Sequence, residues 1–352
     1  MSCTLCPRRC DVERDFDREP LDSAMEIPSC GTKSAAKESA QTGLSRALGR
    51  GPETDGDRKS NVGGGAGTAR RGVCGMGAQV RVARAALHFW EEPCISGTRG
   101  SGAVFFSGCG LRCAFCQNEE ISHGGVGEVV SVRRLADIFR ELEDQGAHNI
   151  NLVTAAHFAP AVLKALDIYR PRIPIVYNSS GYESIETLRL LEGIIDIYLP
   201  DYKYIDSAMA RLLSGAADYP QVAWEAIREM RRQTGPAVYD ADGMMLRGTQ
   251  IRHLLLPGLT GDAMRILTAI ADELPDTPVS LMGQYVPCGR ALSIPGMNRR
   301  VTRREYERVA AHMRLLNLPG YIQELESASD AFVPAFDGTG VRAVPAPISE
   351  QL

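Results

Sequence analysis

The chain has 352 residues, a formal net charge of −4 and 44% apolar residues, enough for one large barrel-type domain or two smaller ones. The acidic balance argues against nucleic acid as the main partner, and no stretch approaches the roughly 20 apolar residues needed to cross a bilayer. The opening Met1-Ser2-Cys3-Thr4-Leu5-Cys6 lacks the charged-then-apolar layout of a secretion signal, so a cytoplasmic setting with no membrane partner is expected.

Taken in chain order, residues 1–99 read as a Cys-rich N-terminal segment. Within it, 31–70 is rich in Gly, Ser, Ala, Lys and Arg and contains no aromatic residue. Such a stretch buries too little apolar surface to offset chain entropy, and a disordered insertion is expected. From residue 100 short apolar runs alternate with amphipathic ones. Strands are expected at 103–107, 149–154, 173–177, 194–199, 249–256 and 279–285. Helices are expected at 132–145, 159–169, 185–191, 208–213, 219–233, 262–273 and 303–316, the first on the stripe Leu135, Ile138, Phe139 and Leu142. This alternation indicates right-handed βαβ units and a parallel sheet, an α/β fold. Six strands fit an incomplete (β/α) barrel or a doubly wound open sheet, and both place the site beyond the carboxyl ends of the strands. Residues 100–325 form this domain, and 326–352 read as a strap or loose tail.

Ten cysteines are too many to pass over. In a reducing compartment clustered cysteines point to metal ligands or catalysts rather than disulfides. Cys30, Cys94 and Cys288 stand alone and read as small buried apolar residues. Cys109, Cys113 and Cys116 form a CxxxCxxC loop directly after the first barrel strand. Three thiolates can hold three irons of a [4Fe–4S] cubane and leave the fourth iron open to a substrate or cofactor. The same spacing would also put three core cysteines on one helix face, but Gly108 and Gly110 around the first cysteine favour a tight loop. A zinc site is a second alternative, although zinc would recruit a fourth nearby ligand.

The segment 105–118 resembles the signature of the radical S-adenosylmethionine superfamily, including the aromatic Phe115 before the last cysteine. More narrowly, the chain resembles the PflX-type relatives of pyruvate formate-lyase activating enzyme. The shared phrases lie at 91–97, 105–122, 149–158, 176–184, 196–204, 251–258 and 280–285. The resemblance implies a partial (β/α)6 TIM-like barrel with S-adenosylmethionine across its top. It implies reductive cleavage of that cofactor to methionine and a 5′-deoxyadenosyl radical, which takes hydrogen from a substrate. It also implies an electron donor such as flavodoxin or ferredoxin, and, for an activase, a glycyl-radical protein partner.

Activating enzymes carry a Gly-Gly-Glu type segment after the second strand, where this chain reads Val153-Thr154-Ala155-Ala156-His157. Asn151, Thr154 and His157 are therefore replacement candidates for cofactor contact, with strand-end capping as the alternative. Asn178, Ser179 and Ser180 follow the third strand and are candidates for ribose or carboxylate contact, with a turn at Ser180-Gly181 as the alternative. Asp201 and Lys203 match an Asp-x-Lys segment that lies near cofactor and substrate in activating enzymes. Alternation lets only one of Arg252 and His253, and one of Gln284 and Tyr285, face inward; His253 is preferred.

Cys3, Cys6 and Cys10, with Cys74 across the insertion, make a plausible four-thiolate site for zinc or an auxiliary iron–sulfur cluster; free or redox-active thiols are the third reading. Cys30 could replace Cys74. Two further functional readings stay open: radical modification of another protein or a small molecule, and a non-catalytic metal-bound scaffold or redox sensor.

Overall fold

The computed structural model describes residues 3–10, 12, 71–325 and 333–343. The expected insertion at 31–70, Cys30, and 326–332 and 344–352 of the expected tail lie outside the described residues.

Eleven strands are described: β1 Arg81–His88, β2 Ser101–Phe106, β3 Glu128–Val129, β4 Ile150–Val153, β5 Ile175–Ser179, β6 Ile197–Pro200, β7 Val238–Tyr239, β8 Met245–Thr249, β9 Ile251–Leu254, β10 Val279–Met282 and β11 Gly320–Ile322. The parallel run is β2-β4-β5-β6-β8, and a second sheet runs β9-β10-β11, also parallel. A parallel bridge between Asp201 and Arg252 continues the first run into the second. Along the parallel strands β2, β4, β5, β6, β8, β9, β10 and β11, successive members are spatial neighbours and the order does not reverse. A doubly wound sheet reverses at its switch point, so of the two architectures open from strand count the structure is the partial barrel.

The six expected strands are present. The fifth is split at Gln250: Gly248 and Thr249 pair with β6, whereas Ile251–Leu254 pair with β10. Outside this set, β1 pairs antiparallel with β2 from Val82↔Phe106 to His88↔Ser101, so the sheet starts within the stretch 1–99. Part of the tail straps this edge. Gly338 donates to the Ala83 carbonyl, Ala85 donates to that of Thr339, and Arg134 donates to the carbonyls of Gly340, Val341 and Arg342.

The helices lie close to the expected bounds because their apolar stripes and caps are both present. Val132–Asp144 starts at Ser131, whose side chain accepts from the Arg134 N–H, and buries Leu135, Ile138, Phe139 and Leu142. Tyr219–Thr234 carries Pro220 in its first turn, where no N–H is required. A short helix, Pro93–Ser96, plugs the amino end of the barrel. Its Ile95 carbonyl accepts from Asn149, and Cys94 donates to Gln250 and packs with Val176, Ile197, Leu199 and Met245. With that end closed, the opposite end gathers the loops that follow β2, β4, β5, β6, β9 and β10.

Candidate active site

The loop after β2 holds Cys109, Cys113 and Cys116, with Cys113 buried and the other two half-buried. Its entry needs Gly108, which has φ +86°; a Cβ there would lie 2.4 Å from Met76 and 2.7 Å from the Cys74 carbonyl. The loop is held from several sides. Ala114 N–H donates to the Leu213 carbonyl, Ala291 N–H donates to the Ala114 carbonyl, and Phe115 packs against Tyr204 and Tyr285. Hydroxyls address two of the sulfurs: Ser214 Oγ lies 3.1 Å from Cys113 Sγ and Ser122 Oγ 3.2 Å from Cys116 Sγ. Burial pushes all three thiols up, Cys116 to about 11, while the Lys203 ammonium pulls them back down.

That donor set suits a buried, soft, electropositive group bearing several metal atoms. Among the described residues no three His, Cys, Asp or Glu side chains close on a point where a single ion could bind. Three thiolates can each take one iron of a cubane and leave the fourth iron open.

Beneath the loop, the barrel interior contains a charged network centred on Arg252. Its guanidinium donates to Asp201 at 2.9 Å, to Glu91 at 3.1 Å and to Asn178 Oδ1. Asn151 and Asn178 both donate to Glu91 Oε1, at 3.1 and 3.0 Å, and Lys203 donates to the other oxygen of Asp201. Burial alone would raise the Asp201 carboxyl, but Arg252 and Lys203 hold it below the usual carboxylate range. Burial would lower the Lys203 ammonium, but Asp201 and Cys113 keep it above its ordinary value. The chain of charges therefore runs from Glu91 through Arg252 and Asp201 to a protonated Lys203 beside the cysteine loop. Asn151 Oδ1, buried, has no hydrogen-bond partner in this structure.

The preference for His253 is corrected. Arg252 faces inward, and alternation turns His253 to the helix-covered side, where Nδ1 lies 2.7 Å from the Tyr202 carbonyl oxygen. Burial lowers its pKa, so the imidazole is neutral. Asn151 sits within β4, deeper than a strand end. His157 is likewise buried, with Nε2 2.7 Å from the Ser107 carbonyl oxygen, so it braces the start of the cysteine loop. Ser180 contributes a carbonyl that accepts from Tyr219 OH. The following Gly181 has φ +79°, and a Cβ there would lie 2.2 Å from the Asp201 carbonyl oxygen. Tyr285 donates to the Met297 carbonyl, and Gln284 accepts through its carbonyl from Gln117. Glu91, Ser122 and Ser214 were not among the expected residues; they lie outside the strand ends that drew attention, and only proximity in space reveals them.

Thr154 adopts φ +60°. A β-branched residue is rarely found there, and the left-handed conformation costs about 1–2 kcal/mol. That conformation is one that glycine adopts without strain. Thr154→Gly is expected to raise the unfolding free energy by about 1 kcal/mol in denaturant titrations; an unchanged or lower value would contradict the strain.

Glu183 is buried below the N-terminal loop, accepting from Ser179 and Tyr177, and burial pushes its carboxyl up to about 7. A carboxyl raised in the folded state binds its proton there more tightly than in the unfolded chain. Metal-free protein should therefore lose stability as pH rises from about 4.5 to about 7, by roughly 3 kcal/mol, and then level off. Glu183→Gln should flatten that slope, which unfolding titrations between pH 5 and pH 8 would read.

Residues 103–267 match the family described as the Radical SAM superfamily. An uncharacterized protein of Methanocaldococcus jannaschii is 28% identical over 243 residues, covering 66% of each chain. The chain thus spans just under two thirds of that relative's length. Among solved structures, Streptococcus suis SuiB bound to S-adenosylmethionine aligns with TM-score 0.43 at 13% identity, over 62% of this chain and 49% of that one. A radical SAM methyltransferase from Sphaerobacter thermophilus aligns with TM-score 0.43 at 15% identity, over 65% and 69%. The sequence match spans the cysteine loop and most of the barrel, and over that stretch the chain is similar to the radical S-adenosylmethionine superfamily.

Proposed function

We propose that this chain is a radical SAM enzyme that uses Cys109, Cys113 and Cys116 to hold a [4Fe–4S] cluster and acts as an activase that takes a hydrogen atom from a partner protein's glycine. The observation that carries the cluster assignment is the buried cysteine loop with hydroxyls on two sulfurs and Lys203 beside all three. When bound, the cluster and S-adenosylmethionine supply a 5′-deoxyadenosyl radical.

The protein's own work is positioning and exclusion. Lys203, held by Asp201, offers a fixed cation at the mouth of the barrel for a carboxylate of the cofactor or substrate. Arg252 fixes Asp201 from below, so the cation cannot swing away without breaking a buried ion pair. Thr154 and Ser180 edge the same mouth from the second and third barrel strands. Phe115, Tyr204 and Tyr285 close one wall of the cysteine loop with rings, which keeps water from a reactive centre. The Asp201–Lys203 pair at the carboxyl end of β6, matching the Asp-x-Lys phrase of activating enzymes, supports the activase branch over modification of a small molecule or of another protein site.

A partner carrying α-deuterated glycine tests this. Incubation with the reduced, reconstituted enzyme should transfer deuterium into 5′-deoxyadenosine and leave a glycyl radical detectable by paramagnetic resonance. 5′-Deoxyadenosine that stays free of deuterium while unlabelled small molecules accelerate its formation would contradict the activase reading.

A further inference from the structure

The stretch 333–343 divides into an anchor and an arm. The anchor, 338–343, is fixed on the β1 edge. Gly338 N–H donates to the Ala83 carbonyl at 3.1 Å, and Ala85 N–H to that of Thr339 at 2.9 Å. Arg134 donates to the carbonyls of Gly340, Val341 and Arg342. Val341 is buried in the core beneath the helices, and a Cβ on Gly340 would collide with the Ala85 carbonyl.

The arm, 333–337, reaches the opposite face of the sheet. Val104, Phe106, Ile150 and Leu152 pack with the helices, so alternation turns Ala103, Phe105, Asn151 and Val153 into the barrel. Phe336 is buried in one cluster with Phe105, Val153 and Ile121, and its ring centroid lies 5.6 Å from that of Phe105. Phe105 and Val153 stand at the carboxyl ends of β2 and β4. Ile121 follows the cysteine loop: its carbonyl accepts from Gly108 N–H, and its neighbour Ser122 reaches the Cys116 sulfur. The tail thus crosses the β1 edge and sets one ring on the inner wall, at the end of the barrel that carries the cysteine loop.

The arm is held more lightly than its anchor. Besides Phe336 and half-buried Val333, it is tied to the sheet by Arg84, which donates to the Ala335 carbonyl and to Asp337, both at 3.1 Å. Asp337 is exposed, and ion pairs with an exposed partner contribute little. Gly338, at φ +79°, joins arm to anchor. A glycine at such a joint lets the chain turn without side-chain clashes.

We propose that 333–337 is a lid that pivots at Gly338. Seated, Phe336 closes the β1 side of the barrel mouth; lifted, it opens the inner wall to S-adenosylmethionine and substrate. A closure of this kind excludes water from a reactive centre, and lid opening sets the rate at which ligands enter and leave. That the lid guards radical chemistry rests on the function proposed above; that it lifts does not.

Two measurements on the reconstituted full-length protein test it. In the first, without cofactor, chymotrypsin is added and the fragment ending at Phe336 is followed by mass spectrometry. Local lifting predicts cutting at Phe336 well ahead of global unfolding, at a rate that low urea barely changes. Arg84→Ala should speed that cut about fivefold and leave the denaturation midpoint in place. Cutting at Phe336 only at the rate of global unfolding, in the native chain and in Arg84→Ala alike, would overturn the lid. In the second, labelled S-adenosylmethionine is bound and chased. Phe336→Ala should speed binding and release together, several-fold, with Kd little changed. A weakened Kd with an unchanged binding rate would make Phe336 a fixed wall and overturn the lid. If the native chain binds no S-adenosylmethionine yet is cut locally at Phe336, the functional reading fails and the lid stands.

Discussion

Replacing Cys113 with alanine is expected to abolish assembly of the radical-site cluster and with it all cofactor cleavage. Cys113 is the buried member of the three, and its sulfur alone is addressed by Ser214. Its loss leaves two thiolates, too few to hold a cubane against exchange with solvent, and removes the acceptor of the Ser214 hydroxyl. Ser214→Ala removes that hydrogen bond and the one between the hydroxyl and Tyr204 OH, while the Ser214 carbonyl still accepts from Arg8. Changes of this kind around a metal site cost roughly 10- to 100-fold. The expected order is therefore native, then Ser214→Ala with a weakened cluster, then Cys113→Ala with the radical-site cluster absent. Iron, sulfide and visible absorption after desalting would rank them. Equal retention of the radical-site cluster by Cys113→Ala and the native protein would remove this loop from cluster binding.

The second large effect is expected at Arg252. Its guanidinium satisfies Asp201, Glu91 and Asn178 at once inside the barrel. Arg252→Met would leave Glu91 without its cation and Asp201 with Lys203 alone. Breaking a buried ion pair from one side costs about 3–5 kcal/mol, because the partner charge stays buried. Arg252→Lys keeps the charge but loses the fork that spans three acceptors, so it should fall between the two. Pairing Arg252→Met with Glu91→Gln should recover part of the loss, since the stranded carboxylate is gone. Equal denaturation midpoints for native protein and Arg252→Met would show that the network contributes nothing to the fold.

Much of this architecture was legible in the sequence. Helix stripes such as Leu135, Ile138, Phe139 and Leu142 declare their buried face by spacing alone, and all four are buried. Strand order was not legible, because the same six strands satisfy both a barrel and an open sheet until their neighbours are known. β1 was missed for a related reason. Antiparallel Arg81–His88 bears two arginines and a histidine, and one of its faces is covered by the tail, so its pattern is not that of the buried strands. The cysteine loop was legible because chemistry fixes its spacing. The Arg252 network was not, since its members come from four strands or their ends and from the β1–β2 connection; Asn151, Asn178, Asp201 and Lys203 were expected as cofactor contacts, not as partners of one buried arginine. His253 shows the limit most plainly. When both faces of a strand are covered, alternation says that two neighbours part but not which one turns inward.

The central claim meets its most direct test in one assay: 5′-deoxyadenosine and methionine formed from S-adenosylmethionine by the anaerobically reconstituted, reduced protein. The account predicts both products in equal amounts from the native chain, and none above background from Cys113→Ala at matched protein concentration. Background levels from a native protein whose radical-site cluster is verified by spectroscopy, or equal product from the two proteins, would contradict it.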